Sequence, residues 1–326
     1  MKKIIILIMG LSILLSGCGT GLFAKPIPTA TITATPLPPT ATATVTQTST
    51  ITPTFTASPI PTATWVHQGP ENVFVPIILY HRIDISPINS QYYVPPAKFE
   101  EEMKLLHDWG YQTISTELLI KAITEGADLP PRPLLITFDD GHLNNYTTAF
   151  PIMQKYGFTG VLYIVANYMG VDQYMTADQI KEMAAAGWEV GSHSISHADL
   201  TALDPYRQRY EVVESRTILE EALGVPVRTI AYPFGISSPG VIDYAHFAGY
   251  IGGMSLGYTY DQGVGNLFTM QRRDIKGTYD VKQFAAFLPW QGDPVFLPTD
   301  TPTPSLTPSR TPIPTYTFPP TQTPSP

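Results

Sequence analysis

Leu134-Leu135-Ile136-Thr137-Phe138-Asp139-Asp140-Gly141 decides how the chain is read. Its first five residues are apolar or β-branched and make a short buried strand, which two acids and a glycine end abruptly. Such a strand belongs in a parallel sheet whose chemistry gathers where strands stop and loops begin. Asp-Asp-Gly alone is an ordinary turn signal, so its meaning depends on what surrounds it.

Upstream, Val73–Tyr80 reads as strand and Ala97–Trp109 as an amphipathic helix closed by Gly110. Tyr111–Ser115 reads as strand, with Thr116 as the cap of a helix that stops at Gly126. Downstream, Asn145–Tyr156 is helical up to Gly157, Val161–Val165 is strand, and Thr176 with Gln179 forms a capping box for a helix ending at Gly187. Trp188–Ser192, Thr229–Tyr232 and Tyr250–Met254 read as strands. Asp204 and Pro205 open a long helix that Gly224 ends, and further helices are expected near Val241–Ala248 and Val281–Leu288. About seven strand and helix repeats predict α/β architecture, a single distorted (β/α)7-type barrel over residues 66–293.

The two ends have a different composition. Lys2 and Lys3 precede an apolar run from Ile4 to Leu15, and Leu15-Ser16-Gly17-Cys18 follows, which is the order of a signal peptide. The run is short for a membrane-spanning helix. Leu-Ser-Gly-Cys resembles the lipobox of bacterial lipoproteins, which implies that residues 1–18 are a lipoprotein signal and that Cys18 carries a lipid anchoring the chain to the extracytoplasmic face of the membrane. Residues 19–65 are expected to form a disordered stalk: from Pro26 to Thr64 the chain is Thr, Pro and Ala without one charged residue. At ~3.1 Å per residue, such a stalk would hold a domain on the order of 100 Å from the membrane. Residues 294–326 repeat this Thr/Pro chemistry as a tail.

The net charge of −8 and pI near 5.3, with no clustered basic face, argue against a nucleic-acid partner. Cys18 is the single cysteine, so neither an internal disulfide nor a thiolate zinc site can form, and any metal has to be held by His and carboxylate.

His193-Ser194-Ile195-Ser196-His197 follows the strand Trp188–Ser192 and offers two imidazoles four residues apart. Together with an acid from a neighbouring strand end, they could hold one divalent ion and leave positions open, the pattern of a catalytic metal. Ala231-Tyr232-Pro233-Phe234-Gly235 follows another strand. Its amides could point at a developing oxyanion while its aromatics wall a sugar groove. His81, closing Leu79-Tyr80-His81, stands at the same rim as a candidate general acid. His142 reads as a satisfied structural histidine in preference to a substrate-loop residue.

Thr-Phe-Asp-Asp-Gly, His-Ser-x-x-His and Tyr-Pro-Phe-Gly, in that order, resemble the polysaccharide deacetylases with a NodB homology domain, carbohydrate esterase family 4, over roughly Val73 to Leu288. The resemblance implies that Asp139 is the base and that Asp140, His193 and His197 bind one divalent metal, Zn2+ with Co2+ or Ni2+ as alternatives. Two departures stand out: Ala231 replaces the arginine common before Pro-aromatic-Gly, and no histidine follows His246. Both are similar to the circularly permuted branch that deacetylates poly-N-acetylglucosamine. That likeness implies that His81 is the acid and that Arg272, or its neighbour Arg273, supports Asp139.

Hydrolysis of N-acetyl groups on an extracellular or cell-wall polysaccharide, releasing acetate, is therefore the expected activity. An N-acetylglucosamine polymer is the expected substrate; peptidoglycan and O-acetylated xylan-type polymers are the enzymatic alternatives. A non-catalytic carbohydrate-binding surface lipoprotein is the alternative outside enzymes. The partners expected are the acetylated polysaccharide and, through Cys18, the membrane; no protein partner is indicated.

Overall fold

The computed structural model describes residues 64–293. The leader, Cys18, the stalk up to residue 63 and the tail from residue 294 lie outside the described residues.

Seven strands form a ring: β1 (Ile77–Tyr80), β2 (Pro133–Phe138), β3 (Val161–Ile164), β4 (Glu189–Ser192), β5 (Thr229–Ala231), β6 (Gly252–Leu256) and β7 (Met270–Asp274). Each pairs in parallel with the next, and β7 pairs with β1, so the sheet closes on itself. The expected barrel is present, with one exchange of membership. Tyr111–Ser115 shortens to Gln112–Thr113 and pairs only with the start of β2, while β7, which the hydrophobic pattern did not suggest, completes the ring. A second change lies in the run Val73–Tyr80, which Pro76 divides. Asn72–Phe74 pairs antiparallel with Asp261–Gly263, and only Ile77–Tyr80 enters the barrel. Proline has no N–H for a ladder, so the division falls where the chemistry requires it.

Side-chain alternation sorts the core into two clusters. Ile77, Leu135, Val161, Tyr163, Ala231, Met254 and Met270 face inward, where they meet Leu119, Ile120 and Ile123 of the helix Thr116–Thr124. Ile78, Tyr80, Ile136, Phe138, Leu162, Ile164, Val190, Ile230 and Tyr232 face outward against the surrounding helices. The interior is tightly filled: a Cβ on Gly191 would lie 2.3 Å from the Tyr163 ring, so β4 needs glycine there.

The helices have the expected signals with small shifts. Ser115, not Thr116, caps the helix Thr116–Thr124, accepting the Leu118 N–H at 3.0 Å. The Thr176–Gln179 capping box opens Ala177–Ala185. Asp204 caps the helix begun by Pro205, which passes through a π turn at Tyr210–Glu214 before Ser215–Leu223 ends at the left-handed Gly224.

Under the outer face of β1, the Tyr80 hydroxyl donates to Glu102 Oε2 at 2.8 Å from the helix Pro96–Asp108. Burial pushes the Glu102 carboxyl up from 4.5 to about 8, outweighing the Tyr80 hydrogen bond and Lys98, which pull it down. The folded protein thus keeps a proton that the unfolded chain releases near pH 4.5, so this contribution is full below that pH and is lost as pH rises towards 8. Glu102→Gln retains an acceptor for Tyr80 without a charge to bury. We expect its free energy of unfolding in urea to vary less between pH 5 and 8 than the parent's and to exceed it at pH 8 by on the order of 2–4 kcal/mol.

Candidate active site

The alternation that fills the barrel also selects the groups at its mouth. Residue 81 follows inward positions 77 and 79, and residue 139 follows 135 and 137, so His81 and Asp139 emerge side by side from paired strands. The Asp139 N–H donates to Tyr80 O at 3.0 Å and fixes that register. By the same rule His193 leaves β4 facing inward, as do Arg272 and Asp274 on β7.

Asp140 and Gly141 then take left-handed conformations, with φ of 71° and 82°, which lets a second carboxylate return to the mouth. Ser194 and His197 are also left-handed, at φ 65° and 60°. Their loop is held from outside: Glu211 Oε2, from the π turn, accepts the N–H groups of Ile195 and Ser196, each at 2.9 Å. Glu211 Oε1 accepts the Ser196 hydroxyl at 2.5 Å, and Ser194 Oγ accepts the His197 N–H at 3.0 Å. The sequence reading missed Glu211; its one signal is an acid on the long helix after His-Ser-x-x-His.

Asp140, His193 and His197 converge, each with a ligand atom within 4.8 Å of the others. Asp140 Oδ1 lies 3.7 Å from His193 Nε2 and 3.5 Å from His197 Nε2. His193 Nδ1–H donates to Ala231 O at 2.7 Å, leaving the Nε2 lone pair free. Burial lowers the His193 pKa, although Asp139 and Asp140 oppose it, so the ring is a neutral donor. Burial would raise Asp140, but the His142 hydrogen bond and the nearby imidazoles outweigh it and hold the carboxyl far below its usual range. Two imidazole nitrogens and one ionised oxygen are a donor set suited to a divalent ion such as zinc.

His142 is buried, with Nε2–H donating to Asp140 Oδ2 at 3.0 Å and Nδ1 without a partner among the described residues. It is thus more than a satisfied structural histidine, since it orients the carboxylate that faces the two imidazoles.

Asp139 is gripped by one residue. Arg272 Nη1 donates to its Oδ1 at 2.7 Å and Nη2 to its Oδ2 at 2.8 Å. Burial would raise the Asp139 carboxyl, but Arg272 and His193 bring it below the ordinary value. Of the two arginines left open by the sequence, Arg272 makes this pair, while Arg273 lies between the rings of Tyr258 and Phe287 at 4.4 and 4.5 Å. On the other flank, His81 Nδ1 faces Asp274 Oδ1 at 3.7 Å, and among the described residues neither atom has another partner. Asp274 also escaped the sequence reading, although it stands two residues beyond Arg272 on the same strand face.

These groups line a cleft of about 490 Å³. Phe234 and Gly235 reach it, with the Phe234 ring edge-on to His197 at 4.8 Å. Tyr232 departs from the expectation for its loop. Alternation turns it outward, where it is fully buried, so it is no part of the groove wall, and Pro233 is buried as well.

Comparison with known proteins identifies relatives of the chain. The polysaccharide deacetylase family profile matches residues 126–252. YxkH of Bacillus subtilis (strain 168), named a candidate polysaccharide deacetylase, is 30% identical over 231 residues, which span 70% of this chain and 80% of that protein. The poly-β-1,6-N-acetyl-D-glucosamine N-deacetylase of Staphylococcus aureus (strain MRSA252) is 26% identical over 51% of this chain and 61% of its own. Among solved structures, the Streptococcus pyogenes deacetylase PplD in complex with acetate superposes with a TM-score of 0.62 at 25% identity, covering 66% of this chain and 98% of PplD.

Removing the Glu211 clamp leaves two left-handed backbone residues without their outside support. Glu211→Ala is expected to fold and to bind zinc on the order of 10–100-fold more weakly, read by competition with a chromophoric chelator. Unchanged affinity would mean that the loop holds its shape unaided.

Proposed function

The chain belongs to the polysaccharide deacetylase family, and on that premise we propose that it removes N-acetyl groups from an N-acetylglucosamine polymer, with one divalent metal held by Asp140, His193 and His197. It is a hydrolase of amide bonds. The observation that carries the mechanism is the bidentate Arg272–Asp139 pair beside the convergent Asp140, His193 and His197.

A divalent ion held by those three groups would act as a Lewis acid, acidifying water and polarising the acetamide carbonyl. Asp139, kept ionised by Arg272, takes the proton of the attacking water. In the Phe234 loop the Gly235 and Ile236 amides are spent on Tyr232 O and Pro233 O, so the Phe234 amide is assigned to the oxyanion. An amine leaves poorly unless protonated. With Nδ1 towards Asp274, His81 has Nε2 for the departing nitrogen. Acetate and a free amino sugar result.

The polymer assignment is supported by the Staphylococcus aureus relative and by the position of Tyr80-His81 ahead of the acidic motif. For location, we propose a lipid anchor at Cys18, a Thr/Pro stalk, and a catalytic unit over 66–293 outside the cytoplasm. No helix among the described residues is long and apolar enough to cross a membrane.

Acetate release from acetylated N-acetylglucosamine oligomers tests the mechanism. Asp139→Asn is expected to retain metal by elemental analysis and lose at least ~100-fold in kcat, as removal of a general base does. His193→Ala should lose the metal itself. His81→Ala should lower kcat with little change in metal content, and an unaltered pH–rate profile in that variant would remove His81 from the mechanism. Separately, Cys18→Ala should move the protein from the membrane fraction to the soluble one; retention on the membrane would exclude the lipid as its anchor.

A further inference from the structure

The charges lining the cleft pair off with one remainder. Asp139 is neutralised by Arg272, Asp274 faces His81, and Asp140 is surrounded by His142, His193 and His197. Arg82 also lines the cleft, yet among the described residues no carboxylate lies within ion-pair distance of it. Its backbone is fixed, because Arg82–Ile83 pairs with Tyr93–Val94 and the Arg82 N–H donates to Tyr92 O at 3.1 Å. Its guanidinium is braced 5.1 Å from the centre of the Tyr93 ring. Tyr174 lines the same cleft, its phenol raised by burial and by Asp140 and drawn back by Arg82. A half-buried, braced guanidinium without a counter-charge, one residue from His81, is poised for a group that the protein does not supply.

We propose that Arg82 reads the charge on the sugar next to the one being deacetylated, favouring an anionic substituent there and rejecting a free amine. The inference rests on the deacetylase reading above and adds the electrostatic class of its substrate, an N-acetylglucosamine polymer that bears anionic substituents. Carboxylates and phosphates both match the guanidinium fork, so the shared chemistry is an oxyanion on the polymer. The opposite sign follows from the same charge. Each turnover converts a neutral acetamide into an ammonium group, and a neighbouring ammonium at Arg82 is repelled.

The test uses four matched N-acetylglucosamine oligomers whose neighbouring sugar is neutral, carries a carboxylate, carries a phosphate, or carries a free amine. With the zinc-loaded protein, kcat/KM should rank the anionic oligomers above the neutral one and the amine last, with about tenfold to a hundredfold between anion and neutral, as one charged hydrogen bond contributes. The carboxylate and phosphate arms identify which oxyanion is preferred. In Arg82→Gln the spread should collapse to about twofold, chiefly through KM, and Arg82→Lys should restore part of it. An equal fall on all four oligomers, or a spread that survives in Arg82→Gln, would overturn the assignment and leave Arg82 as a wall residue. Calorimetric binding of the same oligomers separates the two readings. If acetate is released from none, the deacetylase mechanism fails, while the presence or absence of an anion preference in binding still decides Arg82.

Discussion

A buried ion pair governs this barrel. Arg272 and Asp139 meet inside the mouth of the sheet, both almost wholly withdrawn from water, in a two-pronged contact between β7 and β2. Taking two charges out of water costs several kcal/mol for each ion, and only near-ideal geometry with further partners returns it. Here the further partners are Thr137 Oγ1 and Ser255 O, with the Tyr163 ring 5.2 Å from the guanidinium. A packed hydrophobic pair of the same volume would hold a barrel at least as well. What the ion pair supplies instead is a carboxylate fixed in orientation and kept ionised beside two imidazoles, the condition that a base in this position needs.

Strain is concentrated around that pair. Among the described residues, four of the seven non-glycine positions with left-handed backbone are Asp140, Ser194, His197 and Phe234, all in the loops that supply the cleft's side chains. Each such residue costs roughly 1–2 kcal/mol and persists only where its surroundings over-determine it. At the histidine loop the over-determination is Glu211, and at Asp140 it is His142. The π turn that carries Glu211 fits the tendency of such turns to occur near functional sites, since the extra residue in its backbone ring changes where a side chain points.

Much of this was legible in the sequence because burial leaves a pattern. Leu134–Phe138 and Val161–Val165 announce themselves as apolar runs, and each is a barrel strand to within a residue at either end. Met270-Gln271-Arg272-Arg273-Asp274 does not, because four of its five residues are polar and the one with the largest buried side chain is an arginine. A hydrophobic pattern cannot find a strand whose inward position is occupied by half of an ion pair. Tyr111–Ser115 erred the other way: its apolar and β-branched residues resemble a barrel strand, but they pack at the foot of β2. Glu211 and Asp274 were silent for a related reason, since a lone acid has no signature until its partner's place is known. The leader, Cys18 and the stalk are compositional readings, and they lie outside the described residues.

Closure of the ring explains why the missing C-terminal histidine leaves no gap. In an open sheet, moving an edge strand from one end of the sequence to the other would strip a group from the site. In a closed one, every strand has two neighbours, and the chain can begin at any of them. Here it begins at β1, between β7 and β2, so His81 stands with Asp274 on one flank and Asp139 on the other. The two-residue repeat of the strand then does the rest. Positions 81, 139, 193, 272 and 274 are all continuations of inward faces, so one geometric rule delivers an imidazole, two carboxylates, a second imidazole and a guanidinium to the same mouth. Asp140 and His197 cannot be reached by that rule, and they are the positions where the backbone turns left-handed to bring the remaining members of the convergent triad to the mouth.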